Sequence, residues 1–224
     1  MKRTHISILQ IIVHIAGWSM LALLAYDYFN HGLTANPIQA IEQRTGVYAL
    51  TFLLVSLACT PVASILGWKE LTRRRKALGN YGFLYACLHL TTFFGIDYGL
   101  DLVAVWRDVW NIPYVIVGAV AFLLLLPLAI TSFTYWMKSL GKNWKRLHRL
   151  VYIISPLVIV HFLLVVKGDI TQLKGNLSQP FLYGSIALLL LVLRIPKVKL
   201  ALIGLRNRIT IRRRPAPLVL RSEK

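Results

Sequence analysis

Carboxylates are scarce in this sequence. Eight Asp and Glu stand against 26 Lys and Arg, and charged residues make up only 15% of the 224 positions. So few charges cannot coat a water-facing surface, which excludes an ordinary soluble domain. The 57% hydrophobic content suits a bilayer, which asks for no such coat. Cysteine is nearly absent. Cys59 and Cys87 both fall inside apolar runs, and two thiols so placed make neither a disulfide framework nor a thiolate metal site. The stretch Cys87-Leu88-His89 lacks the second Cys of a covalent haem attachment motif. Both cysteines read as packing residues. No repeat and no low-complexity block stands out.

The formal net charge of +18 would suit nucleic acid if the basic residues punctuated aromatic or polar faces. They lie instead between apolar runs and in the C-terminal stretch, as charges held at a membrane surface do. Membrane lipid therefore replaces nucleic acid as the expected partner.

Spanning about 30 Å of hydrocarbon takes roughly 20 apolar residues in a helix. Six segments qualify: Ile6–Tyr26, Val47–Leu66, Leu78–Ile96, Tyr114–Phe133, Leu147–Val166 and Phe181–Val198. The third, rich in Tyr, Phe, Thr and Gly, is the weakest. The expected fold is all-α: a polytopic bundle of six transmembrane helices over residues 1–198, with a basic tail over 199–224. That tail either lies on the anionic leaflet or is solvated. The first segment follows Lys2 and Arg3, but it is too long for a signal core. It also lacks a small-x-small cleavage site near Tyr26, so it reads as an uncleaved helix.

Charge orients the spans. Lys2 and Arg3, the run from Lys69 through Arg73, Arg74, Arg75 and Lys76, the group from Lys138 to Arg149 and ten residues from Arg194 onward hold 22 of the 26 basic side chains. The alternate connections hold only Arg44, Arg107, Lys167 and Lys174. Positive charge marks the cytoplasmic side, so both termini are expected inside. Six of the eight acids (Asp27, Glu42, Asp97, Asp101, Asp108, Asp169) fall near the opposite face.

A polar group in hydrocarbon is costly and usually functional, and histidine is the informative type here. His5 and His31 sit outside the core, while His14, His89, His148 and His161 are in or beside spans. Counted from the cytoplasmic end, His89 and His161 reach depths of about 17 and 20 Å on neighbouring helices. Two imidazoles at matched depth can clamp a planar haem iron whose apolar rim suits the lipid interior. His148 precedes His161 by 13 residues, about 20 Å lower and about 140° around an ideal helix. The two would share a partner helix only if the chain bends. His14 is the other nearby imidazole, at a poorly matched depth of about 12 Å. Proton handling and plain packing remain open for these histidines. No Asp, Glu, Lys or Arg sits well inside a span, which counts against an ion-coupled transporter. The Arg73–Arg75 cluster could hold a flavin phosphate or a quinone headgroup, or simply obey the charge rule. Pro127 and Pro156 read as helix-shaping residues, and Trp18, Trp68, Trp136 and Trp144 as interface anchors.

The stretch Leu140-Gly141-Lys142-Asn143-Trp144-Lys145-Arg146-Leu147-His148-Arg149-Leu150-Val151-Tyr152, followed by His161-Phe162, resembles the ferric-reductase-like transmembrane family. So do Asn36-Pro37 with Thr45-Gly46, Leu78-Gly79 through Leu88-His89-Leu90-Thr91, and Leu128-Ala129-Ile130-Thr131-Ser132. The similarity extends to about Arg194 and is greatest to bacterial members that serve a periplasmic methionine-sulfoxide reductase. It implies a haem b cytochrome with His89, His148 and His161 as its haem-associated histidines. It further implies electron passage across the inner membrane to a periplasmic molybdopterin-containing reductase subunit that repairs oxidised methionines. The donor would be the quinone pool or a cytoplasmic flavin reductase, with FMN as second cofactor. Such a chain is an electron-transfer subunit rather than the catalytic one. It departs from the wider family in having only His89 on the third helix, and no Gly-rich dinucleotide loop follows the last span. Hydride from NAD(P)H is therefore not expected to be taken directly. The competing classes are a small transporter or scaffold with incidental histidines and a cytochrome that reduces ferric iron.

Overall fold

The computed structural model describes residues 7–166 and 177–212, with the backbone alone for Asp108 and 209–212. Lys2, Arg3, His5, Lys167, Asp169 and Lys174 lie outside the described residues. Those described form helices and connecting turns: α1 (Ile8–Phe29), α2 (Pro37–Leu66), α3 (Glu70–Thr91), α4 (Leu102–Val109), α5 (Pro113–Ile130), α6 (Thr134–Leu140), α7 (Lys142–Leu147), α8 (Val151–Val165), α9 (Ser178–Val192) and α10 (Pro196–Arg212). A π-helical turn (Thr92–Asp97) extends α3, and a 3₁₀ turn (His148–Leu150) joins α7 to α8.

Four stretches are long and apolar enough to cross a membrane: Ile8–Phe29, Pro37–Leu66, Pro113–Ile130 and Lys142–Val165. Ser178–Val192 is a shorter apolar helix. The weak third segment, residues 78–96, is helical throughout, because the π turn carries on where α3 ends. α3 as a whole is not apolar, since its first turns hold Glu70 and the Arg73–Arg75 run.

Two boundaries differ from the sequence reading. The second span starts ten residues earlier, at Pro37 rather than Val47. Asn36 caps it by accepting from the Gln39 amide at 3.2 Å, and Pro37 sits where no N–H is needed. Glu42 and Arg44, expected in a connection, thus lie within α2, and Arg44 pairs with Asp27 near the end of α1. The sixth segment is interrupted: α9 ends at Val192, and Pro196 opens a separate helix. Pro disfavours helical geometry in the residue before it but fits the first helical turn. Much of the expected tail is therefore α10. It folds back on α2, whose terminal Ser64 and Ile65 carbonyls accept from Arg206 Nη1 at 3.4 and 3.2 Å.

α2 is the shared wall of two apolar cores. Leu50, Leu54 and Leu57 pack with Leu128 of α5, Ile154 of α8 and Leu190 of α9. Phe52 and Cys59 pack with Val13 of α1 and with Leu78, Tyr81 and Tyr85 of α3. Large side chains such as Ile11, Ile15, Leu23, Leu123, Leu188 and Leu189 remain exposed on the bundle's exterior, where lipid replaces a protein neighbour. α2 and α3 run together along much of their length. Gly82 permits that approach: a Cβ there would stand 3.2 Å from the Leu53 amide nitrogen and 3.3 Å from the Ala49 carbonyl oxygen. Both are backbone atoms of α2 and cannot rotate away.

Gly82→Ala is expected to force α2 and α3 apart and destabilise the protein by about 1–3 kcal/mol, as overpacking does. Gly79→Ala, where the nearest atom is Ser56 Oγ at 3.4 Å, is expected to be tolerated. Thermal unfolding of the two variants in detergent measures the difference.

Candidate functional site

His89 near the end of α3 and His161 in α8 face each other with ring centroids 6.1 Å apart and planes at 79°. Each ring is pinned by a helix backbone. His89 Nδ1 donates to the Glu42 carbonyl at 2.9 Å, and His161 Nδ1 donates to the Tyr114 carbonyl at 2.8 Å. A carbonyl only accepts, so both bonds place the proton on Nδ1 and leave the Nε2 lone pair for another partner. Metal-bound imidazoles are held in this way by outer partners that fix tautomer and ring orientation.

Two glycines make the rings fit. A Cβ on Gly118 would stand 2.7 Å from His161 Cε1 and 2.8 Å from Nδ1. A Cβ on Gly46 would stand 3.3 Å from His89 Nδ1. Each glycine lies one helical turn after the carbonyl that holds the same ring. In both halves the histidine follows its carbonyl residue by 47 positions. The α2–α3 and α5–α8 pairs therefore present the same local arrangement twice, although the sequence carries no repeat.

The donor set decides what such a pair can hold. Among the described residues no group of three or more His, Cys, Asp or Glu converges on a metal site. Two nitrogens under-coordinate a bare ion, whereas a haem iron brings four nitrogens of its own. Metal–imidazole bonds of about 2 Å, with about 1 Å more to each ring centre, separate the centroids of a bis-imidazole complex by about 6 Å. The observed 6.1 Å meets that requirement, so the residues present fit haem.

The other expected residues are elsewhere. His148 opens the 3₁₀ turn, which changes the rotation per residue and bends the chain into α8. Its Nε2 lies 3.1 Å from Thr131 Oγ1, and its ring lies against Trp144, with centroids 4.1 Å apart and planes tilted by 33°. Trp144 Nε1 in turn donates to the Thr131 carbonyl at 2.9 Å. His14 pairs with the Tyr81 hydroxyl at 2.9 Å and not with His148. The basic run divides. Arg73, Arg74 and Lys76 line a groove of about 360 Å³ between α1 and α3, with Gln10, His14, Asn80 and Tyr81. Arg74 there donates to Gln10 Oε1 at 2.9 Å and pairs with Glu70 at 3.6 Å. Arg75 does not line that groove. Both cysteines are free thiols.

Sequence reading brought His89 and His161 together but missed what holds them. Every residue has a carbonyl, so Glu42 and Tyr114 carried no signal as acceptors. The equal spacing from Gly46 to His89 and from Gly118 to His161 was the one available clue. Trp144, read as an interface anchor, also packs on His148.

A family model described as the ferric reductase like transmembrane component matches residues 44–159. Curated relatives cover most of the chain. One from Rhodospirillum rubrum is 43% identical over 169 residues, 75% of this chain and 78% of the relative. One from Xanthomonas campestris pv. campestris is 40% identical over 191 residues, 83% of this chain and 84% of the relative. One from Azospira oryzae is 40% identical over 182 residues, 79% of this chain and 76% of the relative. All three are named protein-methionine-sulfoxide reductase heme-binding subunit MsrQ.

Gly118→Ala is expected to displace the His161 ring and break its bond to the Tyr114 carbonyl, whereas Gly46→Ala, with 3.3 Å available, is expected to leave the His89 bond to the Glu42 carbonyl in place. Histidine-selective nitrogen-15 NMR of both purified variants checks the order.

Proposed function

This chain belongs to the ferric-reductase-like transmembrane family, and from that premise we propose that it is the haem-bearing electron-transfer subunit of a methionine-sulfoxide reductase system. The observation that carries the proposal is the His89–His161 pair, 6.1 Å between centroids with both Nδ1 protons committed to carbonyls. A haem b there would supply one-electron chemistry through its iron. The chain's own residues do the rest. The Glu42 and Tyr114 carbonyls orient the two imidazoles, Gly46 and Gly118 let each ring lie against a neighbouring helix, and the surrounding apolar helices keep bulk water out.

The multi-pass membrane topology is read in finer detail as six crossings of the bacterial inner membrane. α1, α2, α5 and α8 supply four. The apolar part of α3 with its π turn, and α9, supply two more, giving a haem domain over residues 1–198. Both termini face the cytoplasm, because the basic residues cluster at the ends of the spans nearest them. His89 and His161 then lie toward the periplasmic side, where a molybdopterin-containing reductase subunit accepts electrons for methionine-sulfoxide repair. His148 lies toward the cytoplasmic side, where a quinone or a flavin reductase delivers them. The groove holding the hydrogen-bonded His14–Tyr81 pair suits a quinone ring, since it offers a ring nitrogen and a hydroxyl at the edge of the bundle.

Protein purified from haem-sufficient cells is expected to show a Soret band and a low-spin reduced spectrum. His89→Ala and His161→Ala are each expected to abolish the low-spin signature, and its survival in either variant would overturn the ligand pair. No Soret band in the unaltered protein would sink the haem reading itself.

Orientation has a separate test. A fluorescent protein fused after Lys224 is expected to be bright, and alkaline phosphatase fused at the same place inactive. The reverse pattern would place the terminus outside.

A further inference from the structure

The short helix between the two pairs that carry His89 and His161 has only one covered side. α4 lies between the π turn and α5, with residues 98–101 before it and 110–112 after it. Those stretches of four and three residues reach at most about 14 and about 10 Å when fully extended. The first is not extended. Its chain turns back through positive φ at Gly99 and Leu100, where the Leu100 amide donates to the Phe94 carbonyl at 2.9 Å and the Asp101 amide to the Tyr98 carbonyl at 2.9 Å. Asp101 Oδ1 then caps α4, accepting from the Val103 and Ala104 amides at 3.0 and 2.9 Å. At the other end Asn111 Nδ2 donates to the Arg107 carbonyl at 2.9 Å. α4 is thus held close to the level at which the π turn ends and α5 begins.

Its faces differ. Val105 is 4% exposed, and Val103, two residues earlier, is 80% exposed. Leu102, Trp106 and Trp110 are exposed as well, and at about 100° per residue they fall with Val103 inside an arc of about 100°. Trp106 and Trp110 meet edge to face, with centroids 5.3 Å apart and planes at 83°. Arg107 lies just beyond this arc, about 140° from Leu102, and is also exposed. Ile96 on the π turn and Leu100 after it are exposed too, so the bare apolar surface begins where the helix that carries His89 ends.

Size, level and chemistry all favour lipid as what covers this face. Four large side chains on one short helix fall well short of the roughly 20–30 residues a side that stable protein interfaces use. The short tethers keep α4 at the membrane boundary rather than out in water. Indole rings concentrate at that boundary, where an apolar ring and a polar N–H each find a suitable medium. A helix with one apolar face and a polar edge lies in the boundary plane with its apolar side down. Ile96 also makes the patch continuous with the apolar exterior of the bundle, which lipid already covers.

We propose that α4 is an interfacial helix seated in the leaflet on the His89–His161 side, with Leu102, Val103, Trp106 and Trp110 at the boundary of acyl chains and headgroups and Arg107 toward water. Its partner is the phospholipid surface, recognised through apolar area and not through headgroup charge. Seating there ties two helix ends to one leaflet: that of α3, which carries His89, and that of α5, whose Tyr114 carbonyl holds His161. This seating rests on α3 and α5 being membrane crossings and does not depend on what the two imidazoles bind.

The test places a nitroxide on Val103→Cys, Arg107→Cys and Leu123→Cys in turn, in the full chain with Cys59→Ala and Cys87→Ala, reconstituted in phosphatidylcholine nanodiscs. Leu123 is exposed in the middle of α5 and reports whether that helix crosses the bilayer. Power-saturation EPR compares collisions with oxygen, which concentrates in hydrocarbon, and with a water-soluble nickel chelate. The oxygen-to-nickel ratio at 103 is expected to exceed that at 107 by about threefold or more, as for a label about 5–10 Å into the boundary. The ratio at 123 is expected to be the highest. A high ratio at 123 with equal ratios at 103 and 107 overturns the seating, and low values at both leave the face to a protein partner. A low ratio at 123 overturns the crossing itself, and the seating with it. A second measurement keeps both cysteines. The emission lost in the Trp106→Phe, Trp110→Phe double variant belongs to the pair, and phosphatidylcholine brominated near the top of its acyl chains is expected to quench about half of it or more. An unquenched pair overturns the seating even where the cysteine-free chain fails to fold.

Discussion

The hydrogen bonds from two imidazoles to two helix carbonyls set the requirements that the rest of this structure meets. Each carbonyl lies in the early part of a helix, at Glu42 in α2 and Tyr114 in α5, and has a second lone pair to offer. For an imidazole to reach it, the ring must lie flat on the helix surface, where a side chain would normally stand. Hence the glycine one turn further on in both helices. For both rings then to face one another, α3 and α8 must present them at the same level from opposite sides. The packing of α2 against α3 and of α5 against α8 delivers that. The requirement runs from tautomer to glycine to helix pairing, and each link constrains the next.

α2 carries much of this load. It supplies the Glu42 carbonyl and Gly46 at one end and walls both apolar cores along its middle. At its other end it receives Arg194 on Leu57 and Arg206 on Ser64 and Ile65. In hydrocarbon, neighbouring helices gain little from apolar contact alone, so close backbone approach and interhelical hydrogen bonds have to hold them. Gly82 provides the first against α3. Ser56 to the Arg75 carbonyl and Thr51 to the Tyr183 hydroxyl, at 2.9 Å each, provide the second toward α3 and α9.

Much of this was legible in one dimension. Apolar runs and the sidedness of Lys and Arg are sums along the chain, and they suffice to read a polytopic helical protein. The meeting of His89 and His161 was also legible, because depth in a bundle is residue count multiplied by rise. What the sequence hid is what depends on direction. Gly118 is one of 14 glycines, and nothing local marks it as the one beneath a histidine. The early start of α2 was masked because Glu42 and Arg44 break the apolar run without breaking the helix. His148 looked misaligned with His161 on an ideal helix, and the 3₁₀ turn between them removes the premise of that calculation. Arg75 stands beside three other cations, yet successive residues point about 100° apart, so one of them can turn inward while its neighbours face a groove.

That inward turn bears on what the two levels of the bundle can do. The described helix pairs repeat a carbonyl, a glycine and a histidine at one level, so the architecture could have repeated the histidine at the other as well. The register that matches His89 to His161 matches His148 to Lys76, so a basic run stands there instead. Imidazole can be neutral and lend a lone pair, and it tolerates burial beside a metal. Guanidinium stays charged even when partly buried, and its donors point outward in a fixed plane. The same scaffold thus carries a facing pair of imidazoles at one level and a single imidazole beside a basic run at the other.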